Sequence, residues 1–208
     1  MSDAKFPDAA SAFPSIGGDS PKAARKALRM TERTIKRRME RMAQRGSARD
    51  HLDPLPLPGE TLHLAMDGRY SAWHLVTAAL DLLGARGALT VISTLGFNRE
   101  NADDLLALID NGTIASAVLN VSTYFRSSDR DIFDYIRREM TSRGQRVMVT
   151  RSHAKLVLIE APPRSIVIEM SANLRSSQNW EQAAVSDSAE LLEFHRAWIA
   201  DLHEEYNE

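Results

Sequence analysis

From Thr61 onward the apolar positions switch repeatedly between a period near two and a period near 3.6. Leu62–Met66 alternates and predicts a strand, and Ser71–Leu83 reads as an apolar helix closed by Gly84. Ala88–Leu95 predicts a buried strand, Asn101–Ile109 a helix and Ile114–Val121 another strand. Asp129–Arg143 places Ile132, Phe133, Ile136 and Met140 on one helical face, stopped by Gly144, and Arg146–Thr150 follows as a strand. Two short apolar runs, Leu156–Ile159 and Ser165–Met170, flank Ala161-Pro162-Pro163-Arg164, which reads as a hairpin connection. Residues 187–204 close the chain as an amphipathic helix through Leu191, Leu192, Phe194, Trp198 and Leu202. Strands alternating with helices imply a three-layer α/β/α domain around a mixed sheet.

The first sixty residues read differently. Residues 1–20 hold mainly Ser, Ala, Gly, Pro and Asp and are expected to be an unstructured tail. Ser20-Pro21 is a helix start and Gly46 a helix stop, so 21–46 is expected to be a helical arm. Its apolar stripe is narrow: Leu28, Ile35, Met39 and Met42. Residues 47–60 include Pro54, Pro56 and Pro58 and predict an extended linker before a domain over 61–208.

Charge sharpens that division. Residues 22–49 carry 11 Lys and Arg against two acids, whereas the rest of the chain carries 15 against 26. The basic arm, through Arg29, Arg33, Lys36, Arg37 and Arg41, suits nucleic-acid phosphates. Its stripe also suits docking on the acidic body or on that of a second copy. Its narrow apolar face, poor in aromatics, argues against a membrane as partner. The absence of cysteine excludes disulfides and thiolate metal sites, and the lack of a long apolar run or secretory segment gives a cytoplasmic expectation.

Candidate chemistry concentrates in residues 152–182. His153 and Lys155 lie two apart at what reads as a strand start, which would set both side chains on one face. Glu160 follows, then Ser171, Asn173, Asn179 and Glu181. An imidazole can attack phosphorus or protonate a leaving oxygen, an ammonium neutralises non-bridging oxygens, and hydroxyl and amide groups donate to them. This is a phosphate site with no call for a metal or cofactor. Glu181 is suited to holding His153 in one tautomer. Arg126, after the third strand, is a candidate extra phosphate contact. Trp180 reads as a core residue before it reads as a wall on which a base stacks. The other histidines read as surface or packing residues, and Asp67-Gly68-Arg69-Tyr70 as a turn.

In this stretch the chain resembles the phospholipase D superfamily, whose motif is His-x-Lys, four residues, Asp, six residues, Gly-Ser-x-Asn. His153, Lys155, Ser171 and Asn173 match residue by residue, and Asn179-Trp180-Glu181 is similar to the downstream Asn-x-Glu. Glu160 stands where the family has Asp, Met170 where it has Gly, and nine residues separate the two. The expected site of that longer spacing is the hairpin tip at Pro162-Pro163.

The resemblance, spanning 61–205, implies a phospholipase D-like α/β/α fold and a metal-independent phosphodiesterase, here a nuclease. It also implies a phosphohistidine on His153, with Lys155, Ser171, Asn173 and Glu181 as site residues and Glu160 and Asn179 in support. The family mechanism needs two imidazoles, and this chain has one motif and no repeat. The implied partner is therefore a second copy, the active site lying across a two-fold axis. The alternative is a nucleic-acid-binding protein that keeps the fold, with Glu160 and Met170 having ended turnover.

Overall fold

The computed structural model describes residues 39–175 and 179–202. Within them α1 (residues 39–52) precedes β1 (Thr61–Met66), α2 (Ala72–Leu82), β2 (Ala88–Thr94) and α3 (Arg99–Asp110). Next come β3 (Ile114–Ser122), α4 (Thr123–Ser128), α5 (Arg130–Ser142) and β4 (Arg146–Thr150). The chain ends in β5 (Leu156–Ala161), β6 (Arg164–Met170), β7 (Glu181–Asp187) and α6 (Ala189–Ala200).

All seven strands form one mixed sheet in the order β1-β7-β6-β5-β2-β3-β4. β2, β3 and β4 run parallel, and β5, β6, β7 and β1 alternate antiparallel outward from β2. One apolar row crosses every strand: Val147, Leu119, Ile92, Val157, Ile168, Val185 and Leu62. That face carries the main core, with Trp73, Leu75 and Leu80 from α2, Leu105 from α3, and Phe133 and Ile136 from α5. The opposite face is covered by α6, whose Leu192 and Ile199 pack on Leu156, Leu158 and Val167. These are the three α/β/α layers that the alternating pattern implied.

Local chemistry sets the helix starts. Asn98 caps α3, Ser122 caps α4 and Ser188 caps α6, each accepting from an amide in the first turn. Ser71 opens α2, its amide donating to His74 Nδ1 at 3.1 Å.

Four details depart from the sequence reading. Gly46 does not end α1, which continues to residue 52 because Ala48 and Leu52 are fully buried in the main core. Tertiary burial outweighs the roughly 1 kcal/mol that a mid-helix glycine costs. The Pro-rich stretch is correspondingly held against the sheet: Arg164 donates to the Pro56 carbonyl (2.6 Å) and the Gly59 amide to the Asp187 carbonyl (2.7 Å). Third, the hairpin between β5 and β6 is tight, Ala161 pairing with Arg164 across Pro162-Pro163, so the longer motif spacing lies in the strands. Finally, α4 and β7 are elements that the hydrophobic pattern did not predict. The N-terminal tail and most of the expected arm, including Leu28 and Ile35, lie outside the described residues.

Two predictions follow from the packing of α1. Leu52→Ala will destabilise the chain by about 2–5 kcal/mol, as for any fully buried leucine, measured by urea unfolding; a linker residue would cost under about 0.5 kcal/mol. Tyr70, which is buried and shares a 2.7 Å hydrogen bond with His51 Nδ1 of α1, has its phenol pushed by burial from 10.0 up to about 12. Its stabilising contribution is complete below pH 10 and is lost as pH rises towards 12. Tyr70→Phe will flatten that alkaline loss in a stability–pH profile and cost about 1 kcal/mol at neutral pH.

Candidate functional site at one end of the sheet

Strand direction decides which residues meet. β1, β2, β3, β4 and β6 reach one end of the sheet with their carboxyl termini, and β5 and β7 reach it with their amino termini. His153, Lys155, Ser171, Asn173 and Glu181 all belong to this end, as do Asp67, Thr94 and Arg126. β4 lies three strand positions from β5, so residues 151–155 cross the ends of β3 and β2, a span of about 14 Å. His153 is exposed on that crossing.

The crossing is not a strand, contrary to the expectation that His153 and Lys155 share a strand face; β5 begins only at Leu156. A buried polar ladder holds it instead. Asn120 Nδ2 donates to Ser93 Oγ (3.0 Å) and Thr150 Oγ1 donates to Asn120 Oδ1 (2.8 Å). The Ser152 amide then donates to Thr150 Oγ1 (3.2 Å) and the Ala154 amide to Ser152 Oγ (3.1 Å). Ser93, Asn120 and Thr150 are each 1% exposed, so the low dielectric strengthens these bonds and makes a lost partner costly. The sequence carries a signal for the ladder: three polar residues near the carboxyl ends of otherwise apolar strands.

Lys155 is fixed through its backbone, whose carbonyl accepts from the Met170 amide at 3.0 Å, and its Nζ donates to the His153 carbonyl at 3.0 Å. The pairing of Ser93 with Leu156 sets Lys155 beside Thr94. After β6 the chain turns back to the same place. The Leu174 amide donates to Thr94 Oγ1 (3.2 Å), Leu174 bridges to Phe97, and Asn101 Nδ2 donates to the Leu174 carbonyl (2.9 Å). Asn173 and Lys155 thus flank Thr94. Asn173 Oδ1 is buried with no hydrogen-bond partner among the described residues, an uncommon state for a buried amide.

Ser171 and Glu181 meet directly. Ser171 Oγ donates to the Glu181 carboxylate at 2.5 Å and accepts from the Gln182 amide at 3.0 Å. Met170 packs its side chain against the main core. Arg126 lies partly buried on α4, just past β3.

Other expectations separate from the site. Glu160 sits at the far end of β5 and binds Arg196 of α6 at 2.5 Å, so it anchors a helix. Trp180 is 75% exposed, which overturns its reading as a core residue. Asn179, beside it, is exposed. Arg29, Arg33, Lys36 and Arg37 lie outside the described residues, and Arg41 falls on α1.

Arg175 is a site-end residue that the motif did not flag. It lies 3.7 Å from Asp129, and a Cβ at Gly96 would stand 3.0 Å from its Nε, so that glycine makes room for the guanidinium. Asp67 turns back on Arg69 (2.7 Å); the Arg69 backbone amide, then its guanidinium, holds the carboxyl below the usual range.

No family model matches the chain, and no curated protein matches it. Among solved structures, TrmBL2, an archaeal chromatin protein described as showing a novel mode of DNA binding, has a TM-score of 0.43 and 12% identity. The alignment covers 89% of this chain and 72% of that one. A likeness this distant transfers no chemistry. Among the described residues no helix is long and apolar enough to cross a membrane.

The ladder generates its own prediction. Asn120→Ala will take a hydrogen-bond partner from each of the Ser93 and Thr150 hydroxyls, costing about 1–3 kcal/mol, and will speed hydrogen exchange at the Ser152 and Ala154 amides beyond the global loss. Unchanged exchange there would mean that the ladder does not support His153.

Proposed function

We propose that the chain is a metal-independent phosphodiesterase of the phospholipase D type, acting on nucleic acid with two copies forming the site. The observation that carries this reading is the placement at one sheet end of an exposed imidazole, an ammonium, a hydroxyl–carboxylate pair and a side-chain amide. These groups come from separate loops, and their composition is that of a phosphate site.

His153 attacks phosphorus, forming a P–N bond as the P–O bond to the leaving alcohol breaks. The departing oxygen takes a proton from the second copy's imidazole, which then withdraws a proton from water as the P–N bond is hydrolysed. Lys155 and Asn173 stabilise the charge on the non-bridging oxygens. Met170 packs its side chain against the core, an arrangement that an enzyme and a binding-only protein share. The basic segment around Arg29–Arg41 adds sequence-independent, salt-sensitive attraction for phosphates.

Cleavage of labelled single-stranded and duplex DNA and RNA in EDTA tests the proposal. The full chain will cleave in chelator, and His153→Ala will lose on the order of 10³-fold or more, as removal of a nucleophile does. Silence from both proteins with binding intact would select the binding-only reading.

A further inference from the structure

The large exposed aromatics of the described residues are Tyr124, Trp180 and Phe194, and two of them belong to the site's end of the sheet. Trp180 immediately precedes β7 and Glu181, whose carboxylate holds Ser171. Tyr124, 60% exposed, lies on α4 just past β3, two residues from Arg126. The sheet order puts β6, β5 and β2 between these two positions, so they stand about 19 Å apart with Lys155 and Asn173 between them. The Trp180 indole is 75% exposed, whereas Trp73 is completely buried.

We propose that Trp180 is a base-stacking residue that selects single-stranded nucleic acid, with Tyr124 as a second platform across the site. This rests on the phosphodiester reading and adds the substrate class to it. Three features argue for this occupant. A planar indole beside a phosphate-binding cluster matches the alternation of base and phosphate along a strand. The bases of a duplex are already stacked on one another, so a protruding ring engages only unpaired ones. Cations continue along the same end at Arg126, Lys155 and Arg175, the mixture of aromatics and positive charge that single-strand grooves use.

The test is binding of the full chain to a fifteen-nucleotide oligothymidylate, and to a duplex of equal length, at fixed salt. Trp73 is fully buried and Trp198 partly so, so quenching of tryptophan fluorescence by the single strand reports chiefly on Trp180. Trp180→Ala will weaken single-strand binding about tenfold and remove most of the quench, whereas Trp180→Phe will retain affinity within about threefold. Duplex affinity will be the same for all three proteins.

Equal single-strand affinity in the wild type and Trp180→Ala overturns the proposal, while His153-dependent cleavage in EDTA would still uphold the catalytic reading. Weaker single-strand binding by Trp180→Ala accompanied by a fall in its sedimentation mass also overturns it, assigning the ring to contact between copies. A Trp180-dependent single-strand affinity with no cleavage supports stacking and removes only the enzyme. No binding to either oligonucleotide by the wild type overturns both.

Discussion

The apolar row that crosses all seven strands, from Val147 on one edge to Leu62 on the other, is the constraint from which the rest follows. Its five inner members, Leu119, Ile92, Val157, Ile168 and Val185, are each 0% exposed. Side chains alternate along a strand, so a one-residue slip of any strand would turn its apolar set to the other face. Register is therefore specified strongly, and with it the level at which each strand ends. Ser93 faces Leu156 because Ile92 must face Val157, and Lys155 consequently arrives beside Thr94. The chemistry at the sheet end is placed by packing several residues away.

The same row explains why the parallel and antiparallel halves are both required. A wholly parallel arrangement would turn β5 and β7 around, so that their carboxyl termini reached the site and Lys155 and Glu181 were carried to the opposite end. Reversal at the Pro162-Pro163 turn brings the chain back instead, and the second reversal, between β6 and β7, delivers Glu181 to Ser171. Lys155, Ser171 and Glu181 share one end because the first reversal, at the far end, sends β6 back to the end where β5 begins, and the second lies at that end itself.

Much of this was legible in the sequence, for physical reasons that also mark where legibility ended. Strands such as Ala88–Thr94 and helices such as Arg130–Ser142 announce themselves through burial of one face or both, as does the α/β/α class. β7 reads Glu-Gln-Ala-Ala-Val-Ser-Asp, with small and polar residues that have little strand preference, and it exists because β1 and β6 pair with both its edges. α4 is six residues long, too short to show a helical period. Gly46 obeys local propensity only until Ala48 and Leu52 are given a core to enter. In the candidate site, His153, Lys155, Ser171 and Asn173 were visible as a motif, whereas Asn120 and Arg175 were not. Their roles depend on neighbours from other strands and loops, which no linear spacing reveals. Trp180 was misread because an aromatic beside a strand is ordinarily buried, and only the fold shows which end of the strand it occupies.

A candidate anion-binding site on a body with excess acid calls for an account of where the acids are engaged. Asp110 and Glu139 are held by Arg143, which bridges the ends of α3 and α5, and that contact lowers both carboxyls while raising the guanidinium. Asp103 binds Arg99 and Tyr135, Asp104 binds Arg45, and Asp81 binds Arg49. These pairs lie on the helical layer, and at physiological ionic strength a charge is screened beyond about 8 Å. At the sheet end Asp67 and Asp129 are likewise paired with cations, Arg69 and Arg175, whereas Glu181 keeps its charge while accepting from the neutral Ser171 hydroxyl. The local potential at this end is thus set by Lys155 and its near neighbours, the Glu181 carboxylate among them. Net charge describes how the molecule behaves at a distance; the pairing of individual acids decides what its site attracts.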